Sequence, residues 1–295
     1  MTSDPSFGLG MTVASALCWA GLDASRKVLV GRVSPVALLV LLTLGQFPLF
    51  AVWALSAGDT ITSSAYVVPG LASMGLNIAA NLLFFRAVKL SPLSLTVPLL
   101  AFVPVFTVLS AIPLLGEFPG ALQLIGIAVV VVGALTLNAG SVEGRGPLAF
   151  LQALLREKGS LPMLGTALCW SLTIVVDKLA TVHAGYGIHG AMLNISIGLF
   201  GLALLTMRGE LAELKALRMA WKPWLFAIAM GAVGLGAQLV AAQHLLVSLV
   251  EATKRAIGVT MSVIVGRTMF GEPVTAPKVF AVMLMSLGAG MIVWT

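Results

Sequence analysis

Ten apolar runs, each near the length that a helix needs to cross a bilayer, follow one another along this chain. They cover roughly residues 8–25, 35–56, 65–88, 92–114, 119–139, 161–180, 187–207, 222–244, 247–269 and 275–294. A hydrocarbon core of ~30 Å takes about 20 apolar residues in helical form. Lipid offers no hydrogen bonds, so a crossing segment must pair its own backbone, which leaves helices or closed barrels. The runs are continuous rather than alternating, so helices are expected. Only 9% of the residues are charged. Soluble domains carry about 25%, so this chain lacks the means to coat a water-facing surface. The stretch Met1–Gly8 has no basic residue and the first run has no small-residue cleavage site, so no cleavable signal is expected.

Internal likeness then divides the chain. Ala-Leu-Cys-Trp stands at 16–19 and again at 167–170; Gly-Glu stands at 116–117 and 271–272; Gly-Ala stands at 133–134 and 288–289. These pairs fall at equivalent places in a five-plus-five plan. The expected organisation is a first repeat over 1–139, a linker over 140–160 and a second repeat over 161–295. An odd number of helices per repeat inverts one half against the other, the plan in which a central site opens alternately to either side. The fold class is therefore an all-α membrane protein, ten transmembrane helices in two inverted five-helix repeats around a central cavity. The stretch 208–222 reads as a short amphipathic surface helix.

The formal charge of +6 reports topology rather than a nucleic-acid partner. Fourteen of the seventeen basic residues lie at odd-numbered loops: Arg26, Lys27, Arg32, Arg86, Lys89, Arg145, Arg156, Lys158, Arg208, Lys215, Arg218, Lys222, Arg267 and Lys278. Lys178 lies at an even loop, and Lys254 and Arg255 lie inside a span. The positive-inside rule places the odd loops in the cytoplasm and both termini outside. A bacterial cytoplasmic membrane suits such a chain. Cys18 and Cys169 both lie in apolar runs, so buried thiols are expected rather than a disulfide.

The segment from Phe102 to Glu117 opens on Phe-Val-Pro-Val-Phe and runs through apolar residues into Leu-Gly-Glu. It resembles the fourth helix of the EamA domain in the drug/metabolite transporter superfamily. A second copy runs from Lys254 into Gly271-Glu272, and Trp19 and Trp170 fit the family's first and sixth helices. The resemblance implies ten helices in inverted halves and secondary transport or exchange of small metabolites. The Lys-Arg pair at 254–255 is also similar to the phosphate-binding pair in the ninth helix of the sugar-phosphate translocator branch. By that likeness Lys254 and Arg255 would hold an anion. That branch's additional lysine in the fourth helix has no counterpart, since none lies between Ser91 and Glu117.

Lys254 and Arg255 lie about seven residues into a span, where a charge costs ~2.5–3.5 kcal/mol on insertion scales. They must face a cavity or a partner. An anion site is one reading, with arginine offering a planar fork and lysine a point charge. Pairing with Glu251, three and four residues earlier, is the other. Glu251 is also a candidate proton carrier, though the adjacent cations favour its ionised form. Asn77 and Asn81 share one face of the third span, and Gln238 lies in the eighth; each would bond a polar substrate or act as interhelical glue. Gln46 and Asn194 read as glue. Trp19 and Trp170 line a cavity or pack. Asp23 with Arg26 and Lys27, and Asp177 with Lys178, end the first and sixth spans as gate charges or interfacial anchors. Glu117 and Glu272 stand just before the fifth and tenth helices, where a carboxylate caps a helix start. His183, His189 and His244 show no metal-ligand spacing, and no metal or other cofactor is expected.

The first expectation is a secondary transporter, acting as a monomer on a small anionic or zwitterionic metabolite, phosphorylated compounds among them. The alternative within transport is an amino-acid or drug exporter whose Lys-Arg pair is structural. A non-transporting assembly protein is the reading from another class. An intramembrane enzyme would need a nucleophile–base pair or metal ligands, and the sequence displays neither.

Overall fold

The computed structural model describes residues 4–29, 34–91, 96–139, 157–219, 221–271 and 273–294. Arg32, Arg145, Arg156, Glu272 and most of the expected linker (140–156) lie outside these residues, as does the side chain of Arg218. Among the described residues ten α-helices follow in order. They are α1 (Pro5–Leu29), α2 (Pro35–Ala57), α3 (Val67–Leu90), α4 (Val103–Leu115) and α5 (Ala121–Ala139), then α6 (Ser160–His183), α7 (Tyr186–Arg208), α8 (Trp221–His244), α9 (Val247–Phe270) and α10 (Ala276–Val293). The chain is thus all-α there, apart from one isolated antiparallel bridge between Ile61 and Ala184. Among the described residues eight helical segments are long and apolar enough to cross a membrane. α9 carries Glu251, Lys254, Arg255 and Arg267.

Two elements differ from the sequence expectation. The fourth run begins as a 3₁₀ helix over Val97–Phe102 before α4 takes over. Pro98 has no N–H to give, and the ring of Pro104 opposes an α-helical carbonyl at Leu100, so regular α-helix starts only at Val103. The surface segment expected over 208–222 is a 3₁₀ helix over Leu211–Met219.

Four helices end on a left-handed glycine: Gly58, Gly116, Gly209 and Gly271, with φ of 66°, 66°, 69° and 65°. Such a residue satisfies the last carbonyls and turns the chain, and glycine does so without a Cβ clash. Each is followed by an acid: Asp59, Glu117, Glu210 or Glu272. Two of these carboxylates cap helices far along the chain. Asp59 Oδ2 accepts the Gly187 and Ile188 amides of α7 at 2.8 and 3.3 Å. Glu117 Oε2 accepts the Val247 amide of α9 at 2.8 Å. Glu117 was expected at the start of α5, yet Gln123 accepts the Gly120 amide there at 2.8 Å. The left-handed turn at Gly116 sends the Glu117 carboxylate to α9 instead. At the start of α2, Glu213 accepts the Ser34 amide at 3.1 Å.

The chain divides into two compact units, each drawing on both sequence halves. The first, Met1–Ile78 with Val176–His244, holds α1, α2, α7, α8 and the adjoining parts of α3 and α6. Here α1 meets α8, with Ser15 Oγ donating to the Gly234 carbonyl at 2.8 Å. Leu22, Leu29, Leu38, Leu42, Ala227 and Ile228 form its core. Trp224 ties α8 to α2 by donating to the Leu41 carbonyl at 3.1 Å.

The second unit, Ala79–Val175 with Leu245–Thr295, holds α4, α5, α9, α10 and the rest of α3 and α6. Its α5 and α10 touch backbone to backbone: a Cβ on Gly288 would stand 2.7 Å from the Gly126 carbonyl oxygen. Ile127, Val130, Met285 and Ile292 pack around that contact, with Ala252 and Ala256 of α9 against them. A second core joins Leu99, Leu100 and Val103 to Ala87 of α3 and to Met163 and Ala167 of α6.

Candidate functional site

Charge inside the spans gathers at two places, one in each unit. In the second unit, α9 starts on its Glu117 cap and presents Glu251, Lys254 and Arg255 within its first three turns. Lys254 Nζ donates to Glu251 Oε1 at 2.6 Å, and the two side chains are 14% and 11% exposed. At 3.6 residues per turn, Glu251 lies between Lys254 and Arg255 on one face of the helix. Ala252 and Ala256 turn toward the α5–α10 core. The half-buried face therefore carries two cations and one anion, a formal excess of one positive charge. An arginine fork beside a carboxylate–ammonium pair suits a carboxylate, a phosphate or a zwitterion. At the start of the same helix Ser248 Oγ is buried and has no hydrogen-bond partner among the described residues.

In the first unit a buried polar chain crosses three elements. Asp177 of α6 is 1% exposed and His189 of α7 is 0% exposed. His189 Nε2 lies 3.0 Å from Asp177 Oδ1, and His189 Nδ1 lies 3.1 Å from the Tyr66 hydroxyl. Ser73 of α3 donates to the same Asp177 oxygen. The α6–α7 turn allows this meeting: the chain turns over Ala184 and Gly185, with Asp177 six residues before the end of α6 and His189 three residues after the start of α7. Thr62 holds the loop before α3 onto the end of α6, its amide donating to the His183 carbonyl at 2.9 Å. Asp177, expected from the sequence as a gate charge or an interfacial anchor, is buried, and its Oδ1 meets both His189 and Ser73. Ser73, Tyr66 and His189 went unnoticed as partners. Two ionisable residues in apolar helices on either side of a short turn were the available signal.

The other expected residues are spread among local contacts. Asn77 donates to the Ser73 carbonyl within α3 at 3.1 Å, and Asn81 follows one turn later, half-buried. Gln238 is buried in α8. Trp19 keeps its ring 5.9 Å from the Arg26 guanidinium, while its buried indole nitrogen has no hydrogen-bond partner among the described residues. Trp170 leans on Phe84 at 6.0 Å between ring centres. Asp23 and Arg26 pair at 3.0 Å on an open surface, 69% and 39% exposed. Asn194 donates to the Gly190 carbonyl at 2.8 Å within α7, and Gln46 is buried against Gly231. Both cysteines are unbridged thiols. A pocket of about 400 Å³ lined by Val40, Leu44, Pro48, Leu202 and Trp224 offers little to a polar solute.

Residues 6–139 match the EamA-like transporter family. A solved structure titled only "Crystal structure of protein" aligns over 98% of this chain and 96% of its own, with a TM-score of 0.77 and 17% identity. At that identity the likeness speaks for the fold alone. No curated protein matches the chain.

Proposed function

We propose that this chain is a member of the EamA-like transporter family, which residues 6–139 match, and a secondary transporter of small polar metabolites that works by alternating access. Anionic and zwitterionic solutes are the favoured cargo. The carrying observation is the α9 cluster: two cations against one carboxylate, largely withdrawn from solvent. Ionisable side chains at such a depth are functional-site candidates by default in membrane proteins. Arg255 supplies the fork for a carboxylate or phosphate, and Lys254 adds a second positive charge once a solute competes with Glu251. Asn81 and Trp170, in the same unit as α9, are a polar and an aromatic group available to such a solute.

An inverted duplication over 1–139 and 161–295 supports alternating access as the mechanism. Gly58-Asp59 and Gly209-Glu210 end α2 and α7 and stand 151 residues apart, the spacing that also separates Trp19 from Trp170. Gly116-Glu117 and Gly271-Glu272 follow α4 and α9 at a spacing of 155. The charge bias of the loops supports cytoplasmic odd loops in a bacterial cytoplasmic membrane.

One observation favours a second reading. The 2.6 Å Lys254–Glu251 pair already neutralises the lysine, as it would in an amino-acid or drug exporter whose pair is structural. Uptake into proteoliposomes of labelled phosphate, succinate, alanine and choline separates the two. The anion reading predicts phosphate, succinate or alanine uptake that Arg255→Ala reduces by at least tenfold and Lys254→Ala by less. Choline uptake alone, or Arg255→Ala transporting like the parent while folded, contradicts it.

A further inference from the structure

We propose that Asp177 and His189 form the proton-binding site through which transport is coupled to a proton gradient. This rests on the transport reading for its coupling partner, but its chemistry stands on the first unit alone. The pair is withdrawn from water, and Ser73 and Tyr66 complete it. A buried ionisable pair is often matched or bettered in stability by apolar side chains of similar volume, so packing alone gives little reason to retain it. Ionisable residues within membrane spans mark proton relays and ion pathways.

The hydrogen bonds fit both protonation states. With a neutral imidazole, Nε2–H donates to Asp177 Oδ1 and the Tyr66 O–H donates to Nδ1. With an imidazolium, Nε2–H keeps its carboxylate and Nδ1–H donates to the Tyr66 oxygen, because a phenol both donates and accepts. One proton therefore takes the group from a net charge of −1 to 0 with no heavy atom displaced. The transfer balances: a proton arriving from water bonds to the Tyr66 oxygen while the hydrogen already there moves to Nδ1. Release runs the same steps backward. Tyr66 is the natural port, since it lies just before α3, two residues after the exposed Ser64, whereas Asp177 lies six residues inside the end of α6.

Other titratable groups on the surrounding elements are few. Asp59 caps α7 through the Gly187 and Ile188 amides, and Tyr186 starts that helix. Lys178 and His183 lie on α6 beside and beyond Asp177, and Lys178 is engaged with a partner of its own. Gln243 of α8 donates to the Lys178 carbonyl and to Thr181. His244 ends α8, where it accepts the Asp4 amide. The part of α3 within this unit, Val67–Ile78, holds no charged residue. His189 is thus the one imidazole in direct contact with a carboxylate among the described residues.

The test uses the full chain in lipid nanodiscs with ¹⁵N-labelled histidine, His189 being assigned by the signal that His189→Gln removes. The expected result is a ring-nitrogen shift of His189 between neutral and acidic pH. Ser73→Ala, which leaves Asp177 in place with one donor fewer, should raise the proton affinity of the pair by roughly tenfold. An unchanging His189 signal over the folded pH range, or an unmoved midpoint in Ser73→Ala, overturns the proposal. Coupling is read in proteoliposomes with whichever of phosphate, succinate and alanine exchanges in counterflow. His189→Gln should keep counterflow and lose accumulation driven by an imposed pH gradient; accumulation equal to the parent's overturns coupling. Absence of counterflow in the parent refutes the transport reading, while the nanodisc titration still decides whether the proton site exists.

Discussion

Gly288 and Gly290 lie in one Gly-Ala-Gly stretch of α10, yet alanine at each has opposite consequences. A Cβ at Gly288 would stand 2.7 Å from the Gly126 carbonyl oxygen and 2.9 Å from the Val130 amide nitrogen. Ordinary carbon contacts begin near 3.4 Å, so α5 and α10 must separate by several tenths of an ångström. Both opposing atoms are backbone, which no rotamer change relieves. Overpacking of this kind costs about 1–3 kcal/mol. At Gly290 nothing lies within 4 Å of an added Cβ. Gly290→Ala therefore removes only the helix penalty of glycine and stabilises by up to about 1 kcal/mol. The assay is unfolding of each purified variant from mild detergent into sodium dodecyl sulfate, followed by tryptophan fluorescence. Equal shifts for the two variants, or a larger loss for Gly290→Ala, would refute the backbone contact as the determinant of α5–α10 packing.

Glu117→Ala removes the buried acceptor of the Val247 amide and should cost about 1–2 kcal/mol in the same assay, with Glu117→Gln losing less. Glu251→Gln leaves Lys254 without its carboxylate and should destabilise by roughly 1–3 kcal/mol. The double variant Glu251→Leu with Lys254→Leu should destabilise by less than the sum of the single changes, as a double-mutant cycle will measure. At the start of α1, bonds from the Ser6 hydroxyl, then the Phe7 amide, hold the Asp4 carboxyl below its ordinary value. A group lowered on folding lends stability above its unfolded pKa and loses it as pH falls through the folded one. Asp4→Asn should therefore lower the melting temperature slightly at neutral pH and flatten the acid limb of its pH profile, the two proteins converging below the ordinary aspartate range.

The helices were legible because the bilayer fixes their length and composition at once. Starts and stops followed from Pro35, Gly58, Gly116 and Gly271, whose conformational limits are local. The 3₁₀ entry into α4 was hidden because it depends on where Pro98 and Pro104 fall relative to a carbonyl four residues back. Glu117 was legible as a cap but not as the cap of α9, since a carboxylate beside a turn serves whichever orphan amides come within reach. The Lys254–Glu251 pair was visible as an i, i+3 spacing on one helix. The Asp177–His189 contact was not, because it requires the length of the α6–α7 turn and the rotation of both helices. Ser73 and Tyr66 are common residues that gain meaning only from that contact.

Carrier-mediated exchange is tested most directly by counterflow: proteoliposomes loaded with unlabelled phosphate, succinate or alanine are diluted into the labelled solute. An alternating carrier predicts a transient overshoot of label for at least one of these solutes, abolished by Arg255→Ala. Simple equilibration without overshoot for every solute, or no entry of label at all, contradicts it.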